Sequence, residues 1–345
     1  MRSHAVKTVL GLTLTVLLLW WVLRDVSAAE VWNRVREADP WLLAGAVLTA
    51  TFSFVLRALR WRVLLRPSHP DSRFVPRFGA TCIGFAVNNL LPARLGEFAR
   101  AYTLSRTEEL NIGASVASLV AERVFDGLVL AFFLFATISL PGFPLGDGST
   151  ATLLRRTANF GALVFGLAFF LLWLAARHSD GSIRLFERLA GRFLSPALAQ
   201  RATRIVAGFL AGLGSLRDTL TFFKALGWSV VVWLNLAVSI WLGLLAFDIT
   251  APGLTGAIFL QSVIAFAVAA PSSPGFFGVF EAAARLGLGV YDVPVTDMVG
   301  FATSYHILTF LPVTILGLWY IRYFGLSWSE VGHSAEIVET AVDDE

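Results

Sequence analysis

The chain has 345 residues, of which 56% are hydrophobic and only 15% charged, with a mean hydropathy of +0.71. That apolar share lies well above the usual value and that charged share well below it, so a soluble globular protein is excluded. The 27 basic and 24 acidic residues leave a net charge of +3, too small and too scattered among loops to suggest a nucleic-acid partner.

Several runs of about 20 uncharged residues are each long enough to cross roughly 30 Å of hydrocarbon as a helix, which makes this a polytopic helical membrane protein. Ala5 to Leu23 is the first. Its basic start and the small residues from Val26 to Ala29 imitate a secretory signal, but the apolar core is too long, and a retained transmembrane helix is expected. A second span, about Trp41 to Leu56, ends in Arg57, Arg60, Trp61, Arg62 and Arg66, which read as interface anchors. From Arg57 to Arg77 there are six Arg and one acidic residue, whereas the loop from Arg24 to Asp39 mixes both signs. Positive-inside bias therefore places the N-terminus and the Arg-rich loop in the cytoplasm.

Spans at about Ser115 to Leu140 and Thr157 to Ala176 lead into an Arg-rich connector, about 177–218, also expected to be cytoplasmic. Within it, Ile183 to Leu194 and Ala202 to Leu216 each repeat apolar residues on one helical face, as interfacial amphipathic helices do. With both Arg-rich loops on one side, residues 78 to 110 must cross an even number of times, and a re-entrant hairpin fits. Its tip runs from Asn88 through Pro92, Arg94, Gly96 and Glu97 to Arg100, where Pro and Gly break the helix. Such backbone is tolerated at membrane depth only beside protein or a water-filled cavity.

The second half repeats the pattern: a span from about Phe222 to Phe247, an interrupted segment from Gly253 to Gly289, and a last span from about Thr296 to Ile321. The interruption carries Pro271, Pro274, Gly275, Gly278 and Glu281, and both tips share P-x-x-x-G-x-F, at Pro92/Gly96/Phe98 and Pro274/Gly278/Phe280. The odd number of crossings between them turns the two units opposite ways, as in an inverted repeat with discontinuous helices. The expected fold is all-α, with about six full transmembrane helices plus two opposed re-entrant hairpins. One membrane domain fills 1–326, with repeats at about 41–140 and 222–321. The acidic tail, 327–345, is expected to be disordered and cytoplasmic, and the chain to lie in the cell membrane with both termini inside.

The informative residues are ionisable groups within or beside apolar runs: Arg94, Glu97, Arg100, Glu122, Arg123, Asp126, Glu281, Arg285 and His306. Each costs about 2.5 to 3.5 kcal/mol at a helix centre, so each needs a partner or a function. Glu122 and Asp126 are i,i+4, Arg123 and Asp126 are i,i+3, and Glu97 and Arg100 are i,i+3. A closed network with one Arg left over for an anion is the economical arrangement. The alternative is that these groups merely lock the hairpin into the bundle, and for His306 and Asn235 a satisfied internal polar residue is the favoured reading. The Trp residues, Trp233 among them, read as packing or interface residues. Cys82 is the single cysteine, so neither an intrachain disulfide nor a Cys-based metal site can form, and the five His lack metal-ligand spacing. No catalytic motif, cofactor motif or soluble catalytic domain is evident.

The chain resembles the lysylphosphatidylglycerol synthase transmembrane-region family, flippase-like integral membrane proteins, from about residue 7 to 325. The matching pieces are Arg60-Trp61, Asn88 with Leu91 to Glu97 and Arg100, Glu122-Arg123 with Asp126, Pro271 with Pro274-Gly275 and Gly278 to Glu281, and Tyr305 with Pro312. The resemblance implies a lipid-translocating membrane domain, found alone or fused to aminoacyl- or glycosyltransferase domains. Nothing follows residue 345 to supply a fused transferase, so phospholipid aminoacylation is not expected. Phe276 stands where the family's second hairpin usually has another glycine, and His306 where it commonly has Arg.

The favoured function is a flippase or scramblase for a phosphate-bearing lipid, phospholipid or polyprenyl-phosphate-linked. Arg94, Arg100, Arg123, Asn88, Tyr305 and His306 would bind the headgroup, and Glu97, Glu122, Asp126 and Glu281 would orient them or carry coupling protons. The expected partners are membrane lipids with an anionic headgroup. The competing functions are a membrane-embedded transferase acting on a lipid-phosphate donor, with Glu97 or Asp126 as general base, and a transporter of a small anion.

Overall fold

The computed structural model describes residues 15–91, 94–144, 149–193, 218–269 and 274–343, together with Thr13, Leu198 and Thr203. All regular elements among them are helical. After α1 (15–23) come α2 (Ala28–Glu37), α3 (Pro40–Leu65), α4 (Phe74–Leu90), α5 (Gly96–Glu108), α6 (Ile112–Ser139), α7 (Ser149–Arg177) and α8 (Ser179–Phe193). They are followed by α9 (Thr219–Ala246), α10 (Gly253–Ala269), a 3₁₀ turn (Pro274–Phe276), α11 (Val279–Gly289), α12 (Val295–Tyr323), α13 (Trp328–Gly332) and α14 (Ser334–Asp343). Helices α3, α9 and α12 are each long and apolar enough to cross a membrane. The chain is a multi-pass membrane protein.

Local chemistry sets most of the helix ends. Asp39 caps α3 by accepting the Trp41 and Leu42 amides, with Pro40 at the first helical position, where a missing N–H costs nothing. Ser27 and Glu30 form a reciprocal capping box on α2, and Asn111 and Asp218 cap α6 and α9. The break after α4 follows from Pro92: Leu91, the residue before it, is extended (φ −111°, ψ 147°), because the proline ring excludes it from the helical region. The second break needs left-handed backbone, which Gly275 (φ 66°) and Gly278 (φ 83°) supply. Phe276 also takes that region (φ 61°), so the departure from glycine places a residue with a Cβ in strained backbone.

Packing interleaves the two halves. Helix α3 lies along α9, and α4 along α12, where a Cβ on Gly317 would come within 2.5 Å of the Cys82 carbonyl oxygen. The arms α4 and α5 meet backbone to backbone: a Cβ on Gly84 would lie 2.5 Å from the Gly96 carbonyl oxygen. Helices α10 and α11 form the matching pair, joined to α9 and α12 in one apolar cluster that includes Ile240, Leu244, Leu260, Leu288 and Phe301.

Three expectations change. Arg57, Arg60 and Trp61 are not interface anchors but are buried, because α3 continues to Leu65 instead of stopping near Leu56. The acidic tail is not irregular through 343: Val331 and Val338 are buried, and α14 packs against α5 and α6. Trp233 is more than packing, since its indole N–H is committed to a carboxylate. Of the two amphipathic connector segments, the first forms α8, and the second, 202–216, lies outside the described residues apart from Thr203.

Candidate functional site: a buried arginine-rich cluster

Four helices converge on the cluster. Helix α6 brings Glu122, Arg123 and Asp126, α5 brings Arg100, α3 brings Arg57 and Arg60, and α9 brings Ser229 and Trp233. Arg100 grips Glu122 with two parallel hydrogen bonds, Nη1 to Oε1 at 2.7 Å and Nη2 to Oε2 at 3.2 Å. Glu122 Oε1 also lies 3.1 Å from Arg60 Nη2 and accepts from Arg123 Nη2 at 2.7 Å. Asp126 Oδ1 accepts from Arg60 Nη1 at 2.5 Å and from the Trp233 indole at 2.8 Å, while Ser229 Oγ takes a second bond from Arg60 at 3.0 Å. Stacking over Trp61 at 4.5 Å, whose own N–H is donated to Ser118, fixes the Arg100 plane.

The charge balance is uneven. Four guanidinium groups face two carboxylates, a surplus of two positive charges, and Glu97, which attracts Arg123, lowers it by at most one. Arg57 carries the imbalance most plainly. It is 4% exposed, its nearest carboxylate contact is Asp126 Oδ2 at 3.9 Å, and its Nε and Nη1 have no hydrogen-bond partner. Besides that loose ion pair, the faces of Phe85 (5.1 Å) and Trp233 (5.3 Å) flank its guanidinium. The Arg123 side chain, 39% exposed, is where the cluster meets its surroundings.

The other residues expected at the site fall into separate groups. Asn88 joins the two hairpin arms, accepting the Gly96 amide at 2.8 Å and donating to Glu97 at 3.4 Å. Arg94, with left-handed backbone (φ 56°), donates to the Ala269 carbonyl and lies 5.9 Å over the Phe276 ring. The tips of the two broken segments therefore touch. Glu281 holds the second tip, accepting the Gly278 amide at 2.7 Å and pairing with His306 Nδ1 at 2.7 Å, and His306 stacks on Phe280 at 4.3 Å. Tyr305 is buried and hydrogen-bonded to Ser239 at 2.8 Å, and Asn235 donates to the Thr49 carbonyl. Arg285 closes the end of α1 by donating to the Trp21 and Val22 carbonyls and to Asp25, whose carboxyl it holds below the usual range. Pro92 and Pro271 lie outside the described residues. Among those described, no three His, Cys, Asp or Glu side chains are grouped to hold a metal.

The model of the family described as "Lysylphosphatidylglycerol synthase TM region" matches residues 8–317. The chain belongs to that family. Among relatives of this lysylphosphatidylglycerol synthase TM-region protein, the glycosyltransferase AglD of Haloferax volcanii is 29% identical over 325 residues, which cover 88% of this chain and 51% of AglD. The chain thus spans about half the length of AglD. The UPF0104 membrane protein MJ1595 of Methanocaldococcus jannaschii is 22% identical over 92% of this chain and 95% of its own. A UPF0104 membrane protein of Methanothermobacter thermautotrophicus is 23% identical over 88% and 92%. No solved structure matches. The Arg60-Trp61 pair on which the family resemblance partly rests thus stands in the cluster itself; from the sequence Arg57 and Arg60 read as interface anchors and Trp233 as packing, and Ser229 is not singled out at all.

Proposed function

We propose that this membrane protein moves a lipid with an anionic phosphate headgroup across the cell membrane, the headgroup passing the arginine cluster while its chains stay in the bilayer. The observation that carries this is the buried Arg57, whose nearest carboxylate stands 3.9 Å away and whose Nε and Nη1 have no hydrogen-bond partner. A buried cation without a hydrogen-bonding anion is costly, and a phosphate would relieve it through charge-assisted bonds. Arg57, Arg100 and Arg123 meet the phosphate in this reading, with Glu122 and Asp126 orienting them and Glu97 at the mouth beside Arg123. The membrane arrangement proposed with it is six full spans and two re-entrant hairpins, α4–α5 and α10–α11, with both termini in the cytoplasm.

The test is leaflet exchange of labelled anionic phospholipid and polyprenyl-phosphate analogues in proteoliposomes, comparing the natural chain with Arg57→Gln and Glu97→Gln. Loss of exchange in folded variants is the expected result. Full activity in both would remove the assignment. A second reading, glycosyl or other group transfer to or from a lipid phosphate, draws on the name of AglD. It requires a covalently changed lipid, visible by mass spectrometry of the same vesicles.

A further inference from the structure

A second, separate accumulation of positive charge lies where α3 ends and α9 begins. There a cavity of about 450 Å³ is lined by Arg62, Val63, Arg66, Pro70, Thr221 and Lys224. This volume is in the range of small-ligand sites. Three of the six lining residues are cations and none is acidic. Arg62 stands in the last turn of α3 and Arg66 is its C-cap residue with helical backbone, so the two cations, four residues apart, lie on the same side of the helix end. Lys224, on α9, adds a third charge to the same space.

Asp218 is within electrostatic reach of Lys224, but its carboxylate is already committed to the α9 cap, accepting the Leu220 and Thr221 amides and the Thr221 hydroxyl at 2.7 Å. Cations that merely anchor a helix end spread outward along the interface. Here three exposed cations line one partly open pocket together, with the exposed apolar side chains of Leu220 and Phe223 close by on α9.

We infer that this cavity is a binding site for a multiply charged phosphate group, a phosphomonoester or a pyrophosphate. Charge sets the class. A phosphodiester brings one negative charge against three positive and leaves two unmet, whereas a dianion leaves one. The neighbouring apolar side chains suit a phosphate carried on a lipid, and free pyrophosphate offers the same chemistry. The site is distinct from the buried cluster, and it can bind whether or not the protein moves lipid.

Native mass spectrometry of the detergent-purified full chain tests this, with dioctanoyl phosphatidic acid, dioctanoyl phosphatidylglycerol and inorganic pyrophosphate as probes. The triple variant Arg62→Gln/Arg66→Gln/Lys224→Gln should bind phosphatidic acid at least tenfold more weakly. Arg106→Gln, an exposed Arg outside the cavity, should stay within twofold, and Lys224→Arg should retain binding, which shows that a loss reflects charge and not misfolding. The natural chain should prefer phosphatidic acid to phosphatidylglycerol by fivefold or more. Pyrophosphate that displaces phosphatidic acid would assign the site to the phosphate group alone, and pyrophosphate that fails to displace it would assign the site to the lipid headgroup. Equal losses in Arg106→Gln and the triple variant, or equal affinity for the two lipids, would overturn the inference in favour of a diffuse basic surface.

Discussion

Asp126→Asn is the most informative single substitution, because it keeps shape while removing one of the cluster's two carboxylates. Asp126 Oδ1 accepts from both Arg60 and Trp233, and its Oδ2 faces Arg57 and Arg123. The Asn oxygen can keep the Oδ1 bonds to Trp233 and to Arg60 Nη1 as neutral ones, so the loss is the charge itself, the 3.4 Å bond from Arg60 Nη2 to Oδ2, and the field around Arg57. Breaking a buried pair from one side costs about 3–5 kcal/mol. Here Ser229 and Glu122 still hold Arg60, at 3.0 and 3.1 Å, so the expected value sits near the lower end, about 3 kcal/mol. A double-mutant cycle with Arg60→Gln should return a coupling of roughly 2 kcal/mol, the worth of a charge-assisted bond. Reversible SDS unfolding in mixed micelles, followed by tryptophan fluorescence, measures all four corners. A coupling under about 0.5 kcal/mol, as for exposed ion pairs, would refute the picture of a dry, bonded cluster.

Arg57→Met should behave in the opposite way, leaving stability unchanged or raised by about 1 kcal/mol in the same assay, since it removes a buried charge that has no carboxylate in hydrogen-bond contact. Gly84→Ala should cost about 2 kcal/mol by forcing α5 off α4, while Gly127→Ala, whose added Cβ meets nothing within 4 Å, should add about 0.5 kcal/mol. Val338→Asp should free α14, seen as faster proteolysis after residue 327 and a loss of about 2 kcal/mol. The Arg285 hydrogen bond lowers the Asp25 pKa, so the stability it contributes is complete above about pH 4 and is lost as pH falls through the lowered value. Unfolding midpoints should therefore show a shallower acid limb in Asp25→Asn, and an unchanged limb would mean that the contact does not form.

Much of this arrangement is readable from residue types alone. The chain breaks where Pro92 forbids a helical Leu91, and where Gly275 and Gly278 permit positive φ. Glu122 and Asp126, one turn apart, had to find partners, and Arg100 is one. Arg57 and Arg60 escaped because an Arg beside a Trp at the end of an apolar run looks the same whether the helix stops there or continues. What distinguishes the cases is that α3 runs on to Leu65 with α9 alongside, a tertiary fact. The tail misled for the reverse reason: its acidic average hides Val331 and Val338, seven residues apart, which suffice to seat two short helices.

The interleaving of the halves constrains how the molecule can move. A carrier made of two lobes can rock about the seam between them, but here that seam is occupied by two long helix pairs, α3 with α9 and α4 with α12. Rocking would have to unzip both at once, against the near contact of Gly317 with the Cys82 carbonyl. The two broken segments meet each other through the Arg94 bond to Ala269 and its contact with Phe276. For the lipid movement proposed above, the two long helix pairs thus form a fixed frame, and opening falls to the contact between the two broken segments.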